Sequence, residues 1–346
     1  MKIGVISYPM LFQRSGGLQN QINETKSALS KKGVKIKFID TLSDKLCDFD
    51  LVHIFSAING NYRIVQEAKS QGISTILSPL QQPVIYNLDY IRFRLCSEIT
   101  ARLSKYQIKT SYDEIKSAIE GADHIITQSL LEKKTILKLY NKKLDTQIRV
   151  IPNGVSNEFF NSTSELFERH SSIKDKSPFV LVSGTISSYK NQLGVIAATV
   201  KEKWPIVLVG PIADKKYFER CLVLGEGRVS YLGEFDYKNP LLLSCYSAAA
   251  VTVLISQGET FGLTVVESLA AGTPAIITHN TGLAIPETPP LLVYVNPDDL
   301  NAVGDAIKKA IESKSIAQDC RNIVKHLSWR QVADDLLDIY LEAGCR

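Results

Sequence analysis

Two glutamates, separated by small and aromatic residues, are the part of the sequence best suited to chemistry. Residues 256–278 read SQGETFGLTVVESLAAGTPAIIT, with Glu259 and Glu267 eight positions apart. Carboxylates at fixed positions accept hydrogen bonds from the paired hydroxyl groups of a sugar. The backbone amides at the start of a helix bind anions such as phosphate. The stretch therefore predicts a site for a ligand that carries both hydroxyl and phosphate groups.

The elements around this stretch are those of a parallel sheet. An apolar strand at 251–255 precedes it and another at 275–278 ends it, with Gly272 as a helix stop between them. Strand, glycine-bearing loop, helix and strand form a unit that binds ligands at the strand ends. Thr264 and Glu267 also have the spacing of a helix-capping box, in which Glu267 lies in the first helical turn and has a purely structural role. For the two glutamates together we favour ligand binding.

These residues resemble the signature of the retaining family-4 glycosyltransferases, also called glycosyltransferase group 1. That signature reads Glu-Gly-Phe-Gly-Leu, with a second glutamate after seven intervening residues, and Thr260 replaces its first glycine here. The resemblance implies that Glu259 contacts the donor sugar as a catalytic residue, that Glu267 binds the ribose, and that the amides between them bind the diphosphate. The implied donor-binding residues of this stretch are Phe261, Gly262, Leu263, Thr264 and Glu267.

The resemblance covers the whole chain and is strongest over residues 179–312. Residues 151–155 read Ile-Pro-Asn-Gly-Val, which matches the sequence that closes the first domain in this family. Gly184 and Thr185 stand where relatives have a Gly-Arg pair, and Lys190 stands where they have a phosphate-binding lysine. A threonine cannot replace the bidentate phosphate contact of an arginine. Lys190 is therefore the catalytic cation that we expect at the leaving diphosphate.

Further positions complete the implied donor site. Leu232 and Gly233 end a predicted strand whose backbone groups read the nucleotide base in relatives. Gly16 and Gly17 resemble a loop that closes over the donor phosphates or the acceptor, although a Gly-Gly pair is otherwise only a turn. Leu80 stands where many relatives place a histidine that touches the donor sugar, and this departure puts that contact in doubt.

Strands and helices alternate along the chain, which predicts an α/β fold. The resemblance implies its GT-B form, two Rossmann-like parallel-sheet domains that face each other across a cleft. We expect an N-terminal acceptor-side domain over 1–160, with a C-terminal helix at 328–346 packing back on it, and a nucleotide-sugar-binding domain over 161–327. The polar segment 161–177 reads as a linker. His53, in a predicted strand, is interpreted as a hydrogen-bonded core residue rather than one that lines the cleft.

Charge and composition limit the possible partners. Residues 1–150 contain 22 Lys and Arg against 14 Asp and Glu, whereas residues 151–346 contain 18 against 22. The basic first half indicates an anionic partner, such as a membrane surface, or else a solvated basic surface. The sequence has no nucleic-acid-binding module, no cluster of histidines and no apolar run of membrane-spanning length. We therefore expect no nucleic acid, no metal and no cofactor.

The cysteines and the start of the chain indicate a compartment. Six scattered cysteines form no CxxC pair, and the opening MKIGVISYP has no basic and apolar leader. Both features predict reduced thiols in a cytoplasmic protein. If the basic half binds a membrane, we expect peripheral association at the inner face of the cell membrane.

The segment 86–109 mixes apolar and basic residues. The 3–4 spacing of Leu95, Ile99, Leu103 and Tyr106 predicts the buried face of a domain helix, with long basic side chains lying over it. The alternative is a basic helix that lies on a membrane surface.

The predicted function is transfer of a sugar from a nucleoside-diphosphate sugar to a hydroxyl acceptor, with retained configuration. The acceptor is a glycan, a lipid-linked glycan or a small molecule, and the process is cell-surface polysaccharide or glycolipid synthesis. The nucleotide sugar is a substrate and not a cofactor. Two alternatives are another GT-B activity, phosphorolysis or nucleotide-sugar epimerisation, and a non-catalytic glycosyltransferase-like binding partner. Thr185 and Leu80 are the residues that favour the non-catalytic alternative.

Overall fold

A computed structural model describes the chain in six segments, without the side chains of residues 87–90 and 170. The described residues are 1–13, 16–82, 87–105, 108–170, 178–313 and 317–344. Contacts group them into two compact units. The first lies within 1–14, 21–153 and 329–346, and the second within 15–20 and 154–328.

Each unit contains one six-stranded sheet. The strands are β1 (Lys2–Ile6), β2 (Lys35–Phe38), β3 (Leu51–Phe55), β4 (Ser74–Ser78), β5 (His124–Thr127), β6 (Ile148–Val150), β7 (Val180–Ser183), β8 (Ile206–Val209), β9 (Val229–Gly233), β10 (Val251–Leu254), β11 (Ala275–Thr278) and β12 (Leu292–Val295). Their orders are β2-β1-β3-β4-β5-β6 and β12-β11-β10-β7-β8-β9, and all neighbouring strands are parallel. Most strands are nearly continuous buried runs, because helices cover both faces of such a sheet.

Helices connect the strands. They are α1 (Gly17–Lys31), α2 (Tyr62–Ser70), α3 (Asn87–Leu103), α4 (Ser111–Gly121), α5 (Leu130–Leu139), α6 (Asn157–Phe160), α7 (Glu165–His170), α8 (Gln192–Ala198), α9 (Lys215–Gly225), α10 (Pro240–Ala248), α11 (Leu263–Ala271), α12 (Leu300–Glu312), α13 (Ala317–Val324) and α14 (Trp329–Gly344). Gly272 ends α11 with a left-handed φ of 93°, as predicted.

The last helix, α14, belongs to the first unit and packs on β3 and β4. Its Tyr340 hydroxyl lies 2.7 Å from His53 Nδ1, and Ser78 Oγ lies 2.9 Å from His53 Nε2. Burial lowers the pKa of His53 to about 3, so the imidazole is neutral. His53 is a hydrogen-bonded core residue, as its position in a predicted strand indicated.

The segment that reads as a linker is partly helical. Helix α7 lies within it, and its Phe167 is buried in the core of the second unit, 5.1 Å between ring centroids from Phe179. The linker prediction was therefore wrong for residues 165–170, because one buried aromatic residue anchors a segment that is polar by composition. Residues 171–177 lie outside the described residues.

The buried face predicted for α3 was also wrong. Leu95, Ile99 and Leu103 are exposed, and the side of the helix toward its unit carries Ser97, which is buried. Spacing identifies one face of a helix but not the direction in which that face points. Tyr106 lies outside the described residues. No helix in the described segments, α3 included, combines the length and the apolar content needed to cross a membrane.

Candidate functional site

The second sheet reverses its winding direction between β7 and β10. These strands are hydrogen-bonded neighbours, with β8 and β9 added on the far side of β7 and β11 and β12 on the far side of β10. The loops that follow β7 and β10 therefore diverge, and leave a crevice at the carboxyl ends of the strands. Open α/β sheets bind ligands at this position. Lys190 lies in the first loop and Glu259 in the second.

The two predicted catalytic residues contact each other. Lys190 Nζ lies 2.5 Å from Glu259 Oε1, and the side chains are 24% and 13% exposed. Beside them, the Tyr189 hydroxyl donates to the Gly258 carbonyl at 2.7 Å and the Gln257 amide donates to the Tyr189 carbonyl at 2.9 Å. Burial, followed by the Glu259 charge, raises the pKa of Tyr189 to about 12, so its phenol remains a donor. The sequence did not predict this pairing or the role of Tyr189.

The backbone of Glu259 is fixed from the other side. Its amide donates to the Asn280 carbonyl at 2.8 Å, and its carbonyl accepts from the Gly282 amide at 2.9 Å. The Asn280 side chain donates to the Gln257 carbonyl at 3.2 Å. The carboxylate thus projects from a loop held between the ends of β7 and β11, which limits its movement.

Helix α11 begins at this crevice. Its N-cap Gly262 has a φ of +85°, and a Cβ there would lie 2.7 Å from Ile277 Cδ1, so glycine is required. No side chain caps the helix, and its first amides have no acceptor within the helix. The capping-box alternative does not hold, because Gly262 is the N-cap and Thr264 is the second residue of the helix. The Thr264 hydroxyl donates to the Ser183 carbonyl at 3.4 Å. Glu267 consequently lies beyond the first turn.

Glu267 is a buried carboxyl group with a neutral partner. It is 7% exposed, and its Oε2 accepts a hydrogen bond from the Tyr246 hydroxyl at 2.9 Å. Burial raises the pKa of Glu267 to about 7, against the opposite effect of the Tyr246 hydrogen bond. Burial, followed by the Glu267 charge, raises the pKa of Tyr246 well above its usual value. Tyr246 lies on the apolar helix α10, where no sequence signal identified it.

The other predicted residues of the second unit lie along the same edge of the sheet. The Gly184 amide donates to the Val209 carbonyl at 2.8 Å, and the Gly210 amide donates to the Gly233 carbonyl at 2.9 Å. Thr185 is half-buried, and its carbonyl accepts from the Gln192 side chain at 3.0 Å.

Neighbouring residues complete that edge. Leu232 is half-buried against the core of the unit, and Phe261 is buried in it. Leu263 is half-buried at the start of α11, and Gly233 ends β9 with a φ of +101°. The structure thus places the predicted residues between 184 and 267 near the carboxyl ends of the strands of the second sheet.

The remaining predicted residues lie elsewhere in the chain. Gly17 begins α1 instead of lying in a loop, and Gly16 and Gly17 are exposed. Leu80 has a φ of +56° and Ser56 a φ of +77°, at the ends of neighbouring strands β4 and β3. Such backbone is strained for these residue types and is found at functional sites more often than elsewhere.

The cysteines and the possible metal ligands of the described segments form neither disulfides nor metal-binding clusters. The five described cysteines, at 47, 96, 221, 245 and 320, are free thiols. Within the described segments, no group of three or more His, Cys, Asp and Glu side chains could hold a metal ion. The side-chain cation that contacts Glu259 is Lys190.

Comparison with known proteins identifies the second unit. Residues 163–326 match the family model described as glycosyl transferases group 1. D-inositol 3-phosphate glycosyltransferase of Acidothermus cellulolyticus is 26% identical over 249 residues, which are 65% of this chain and 54% of that protein. The match therefore spans about half the length of this curated relative.

Solved structures extend the similarity to both units. Sucrose-phosphate synthase from Thermosynechococcus elongatus superposes with a TM-score of 0.78 at 20% identity, covering 99% of each chain. Anabaena HepE in complex with UDP gives a TM-score of 0.74 at 15% identity, covering 99% of this chain and 100% of that one. Together with the two parallel sheets, these neighbours confirm the predicted GT-B fold. Within this GT-B fold, the match to the group 1 glycosyltransferases covers residues 163–326, which lie in the second unit.

Proposed function

We propose that the protein transfers a sugar from a nucleoside-diphosphate sugar to a hydroxyl acceptor, with retained anomeric configuration. The observation that carries the proposal is the crevice between β7 and β10, where the Lys190–Glu259 pair lies in the loops that lead into α8 and α11. A cation and helix amides suit a diphosphate, and the carboxylates of Glu259 and Glu267 suit hydroxyl groups. The neighbour HepE, whose structure contains UDP, supports a nucleoside diphosphate as the ligand.

The reaction that we propose places the main demand on the leaving group. The bond between the anomeric carbon and the β-phosphate oxygen breaks, and negative charge develops on that oxygen. The acceptor oxygen bonds to the anomeric carbon, and its proton passes to the departing phosphate. The Lys190 ammonium and the amides of Leu263 and Thr264 would stabilise the charge, each well-placed donor by about 3 kcal/mol.

In this proposal the Lys190–Glu259 pair exchanges partners when the donor binds. Without a donor, each residue neutralises the other across 2.5 Å. With a donor, the ammonium turns to the diphosphate and the carboxylate accepts hydroxyl groups of the sugar. Gly184, Thr185, Leu232 and Gly233 would line the nucleotide side, and Glu267 would accept the ribose hydroxyls.

The acceptor and the location are further parts of the proposal. The acceptor that we propose is a glycan, a lipid-linked glycan or a small molecule, in cell-surface polysaccharide or glycolipid synthesis. The location is the cytoplasm, at the inner face of the cell membrane. Neither a cofactor nor nucleic acid is required. Gly16 and Gly17 would close over the donor phosphates or the acceptor.

Thr185 favours a second candidate, a protein that binds nucleotide sugars without turning them over. Without an arginine at this position, Lys190 is the side-chain cation that we assign to the diphosphate, and Glu259 neutralises it in the free protein. Transfer releases nucleoside diphosphate in proportion to acceptor glycosylated, whereas the non-catalytic candidate releases none. A phosphorylase would instead need inorganic phosphate, and an epimerase would return a nucleotide sugar.

A thermal-shift screen against UDP-, GDP-, ADP- and dTDP-sugars tests the donor site. A ligand at 100 times its dissociation constant adds about 2.7 kcal/mol to the free energy of unfolding, which is several degrees in melting temperature. We expect one nucleotide class to shift the wild type, a Glu267→Ala variant to lose the shift, and a Glu219→Ala control to keep it, because Glu219 is exposed on α9. The absence of any shift would reject the donor site. NMR of the product's anomeric proton tests retention.

A further inference from the structure

The outward side of α3 carries a continuous apolar stripe. Ile91, Leu95, Ile99 and Leu103 recur every fourth residue and therefore share one side of the helix over about 18 Å. They are exposed by between 51%, for Ile91, and 82%, for Leu103. We call these four residues the α3 stripe. Contiguous exposed apolar surface of this kind marks an interaction site.

The opposite side of α3 shows that the stripe is not part of the domain core. Ser97 is buried against α4 and its hydroxyl donates to Asp113 at 2.5 Å, while Ala101 and Ser104 are half-buried. A groove of about 430 Å³, lined by residues of α3 and α4 and by the segment that joins them, lies on this inner side. Around Ser97 the helix thus places small and polar side chains toward its own unit, whereas the four residues of the α3 stripe face away from it.

Basic side chains accompany the stripe. Between residues 91 and 105 the sequence has four basic residues, Arg92, Arg94, Arg102 and Lys105, and one acidic residue, Glu98. All four basic residues are exposed. Arg94 Nε lies 3.3 Å from the Glu98 carboxylate, so the acidic group is itself neutralised. The charge of this surface is complementary to an anionic partner.

We propose that α3 lies in the plane of an anionic lipid surface, with its stripe in the outer acyl region and its arginines at the lipid phosphates. Helices of this type bury their apolar side about 5–10 Å into the boundary between headgroups and acyl chains. An anionic lipid surface offers apolar chains and a continuous sheet of negative charge together. This proposal goes beyond the transfer reaction and does not depend on it.

A second copy of the chain fits this surface less well. A two-fold contact through the stripe would bring the arginines of one copy, Arg92, Arg94 and Arg102, close to the arginines of the other. Like charges at a desolvated contact repel each other, and Glu98 already pairs with Arg94 within one chain. We therefore assign the stripe to lipid and make self-association an outcome of the test.

Vesicle flotation tests the proposal directly. The full chain is mixed, without donor or acceptor, with vesicles of phosphatidylcholine alone or of equimolar phosphatidylcholine and phosphatidylglycerol, in low salt and in about 0.5 M salt. We expect binding to the anionic vesicles that high salt weakens at least about tenfold. No binding of the wild type to either vesicle in low salt would overturn the proposal.

Paired variants separate the stripe from general charge. Leu95→Gln/Ile99→Gln/Leu103→Gln should weaken binding at least about tenfold, and Arg92→Gln/Arg94→Gln/Arg102→Gln should remove the preference for anionic lipid. The control for the stripe replaces three exposed apolar residues elsewhere by glutamine, namely Leu42, Val223 and Leu341. The control for charge replaces three exposed basic residues of α9 by glutamine, namely Lys215, Lys216 and Arg220.

The controls should bind within about twofold of the wild type, because they preserve α3. Equal losses in the controls and the α3 variants would show nonspecific adsorption and overturn the proposal. All variants should melt near the wild-type temperature and retain the donor-induced shift, so failure of docking and failure of the donor site are distinguishable.

A fluorescent probe tests whether the stripe enters the lipid. Leu95→Trp adds a third tryptophan to Trp204 and Trp329, and its emission should be quenched by lipids labelled in the outer acyl region. Wild-type sedimentation provides the alternative outcome. A dimer in lipid-free buffer that the stripe variant converts to monomer would assign the stripe to a second copy and reject the lipid surface.

Discussion

Two buried glutamates, Glu132 in the first unit and Glu267 in the second, have the same sequence setting and different environments. Each follows a Ser or Thr by three residues near the start of a helix after a parallel strand, and burial raises the pKa of each to about 7. Ser129 does cap α5, and the Glu132 oxygens accept the backbone amides of Gln81 and Gln128 at 2.8 and 2.7 Å. Glu267 instead accepts one side-chain hydroxyl, that of Tyr246.

The difference teaches which buried carboxyl group can serve a ligand. Burial and a raised pKa are common to both residues and do not separate them. Glu132 has a backbone amide on each oxygen and joins the ends of β4 and β5 to α5, which is a structural role. Glu267 accepts a hydrogen bond from the Tyr246 hydroxyl and belongs to the helix that begins at the crevice. The type of hydrogen-bond donor therefore distinguishes the two roles.

The largest effect that we expect comes from removing the cation beside Glu259. Lys190→Ala should lower turnover by about 100- to 1,000-fold, because a developing negative charge loses one preorganised donor. Turnover is measured as the release of nucleoside diphosphate in the presence of acceptor. Lys133→Ala is the control, since Lys133 pairs with Asp145 at 2.9 Å in the first unit. Turnover within a few-fold of the wild type in Lys190→Ala would remove Lys190 from the reaction.

The second-largest effect that we expect is on nucleotide-sugar affinity, in which the two glutamates should differ. Glu267→Gln should weaken donor affinity by about 10- to 100-fold, since a hydrogen bond to a charged acceptor contributes about 1.5–3 kcal/mol. Glu132→Gln should leave donor affinity unchanged. Isothermal titration with the nucleotide sugar selected by the screen measures both variants. Equal losses of nucleotide-sugar affinity in the two variants would mean that the type of hydrogen-bond donor does not separate the roles of the two glutamates.

The free energy of unfolding should depend on Glu132, which is not expected to affect donor binding. At about pH 5, Glu132→Gln should lower the free energy of unfolding by about 1–3 kcal/mol, because an amide NH₂ group would face a backbone N–H. A folded-state pKa raised to about 7 gives Glu132 its full stability contribution at low pH, and this contribution is lost as pH rises through 7. The deficit of the variant should therefore shrink by about pH 8. Urea unfolding at the two pH values measures it, and a constant deficit would contradict the buried, protonated state.

The smallest effect is on the pH dependence of donor binding. Glu267 ionises near pH 7, and the carboxylate is the better acceptor for donor hydroxyls, so affinity should rise by about tenfold between about pH 6 and pH 8. Glu267→Gln should show a flat profile over that range. A wild-type profile that is also flat would show that Glu267 does not change protonation when the donor binds.

The sequence predicted the local elements around the site better than the contacts between them. Glu259 and Gly262 were placed in the loop before α11, and Gly272 at the end of this helix, because these positions depend on local backbone requirements. The contact of Lys190 with Glu259 joins residues 69 positions apart and follows from the sheet order, which spacing does not encode. Tyr246 was missed for the same reason.

Two interpretations that the structure rejects, the capping box and the buried face of α3, share a physical cause. Thr264 and Glu267 have the capping-box spacing, but the helix already begins at Leu263, since Gly262 can adopt the left-handed conformation that the entry requires. The α3 stripe has the spacing of a core face, but nothing local determines which side of a helix meets its domain. In both cases a periodic pattern was compatible with two arrangements, and tertiary packing selected the other one.

The position of α14 has a consequence for how the protein is made. The second unit is almost continuous in sequence, so most of it can fold as it leaves the ribosome. The first unit, although synthesised first, needs Tyr340 to complete the hydrogen bonds of His53, 287 residues earlier. During synthesis β3 and β4 therefore lack the packing of α14 until this last helix emerges. We expect the nascent first unit to be the part of the chain that depends most on chaperones.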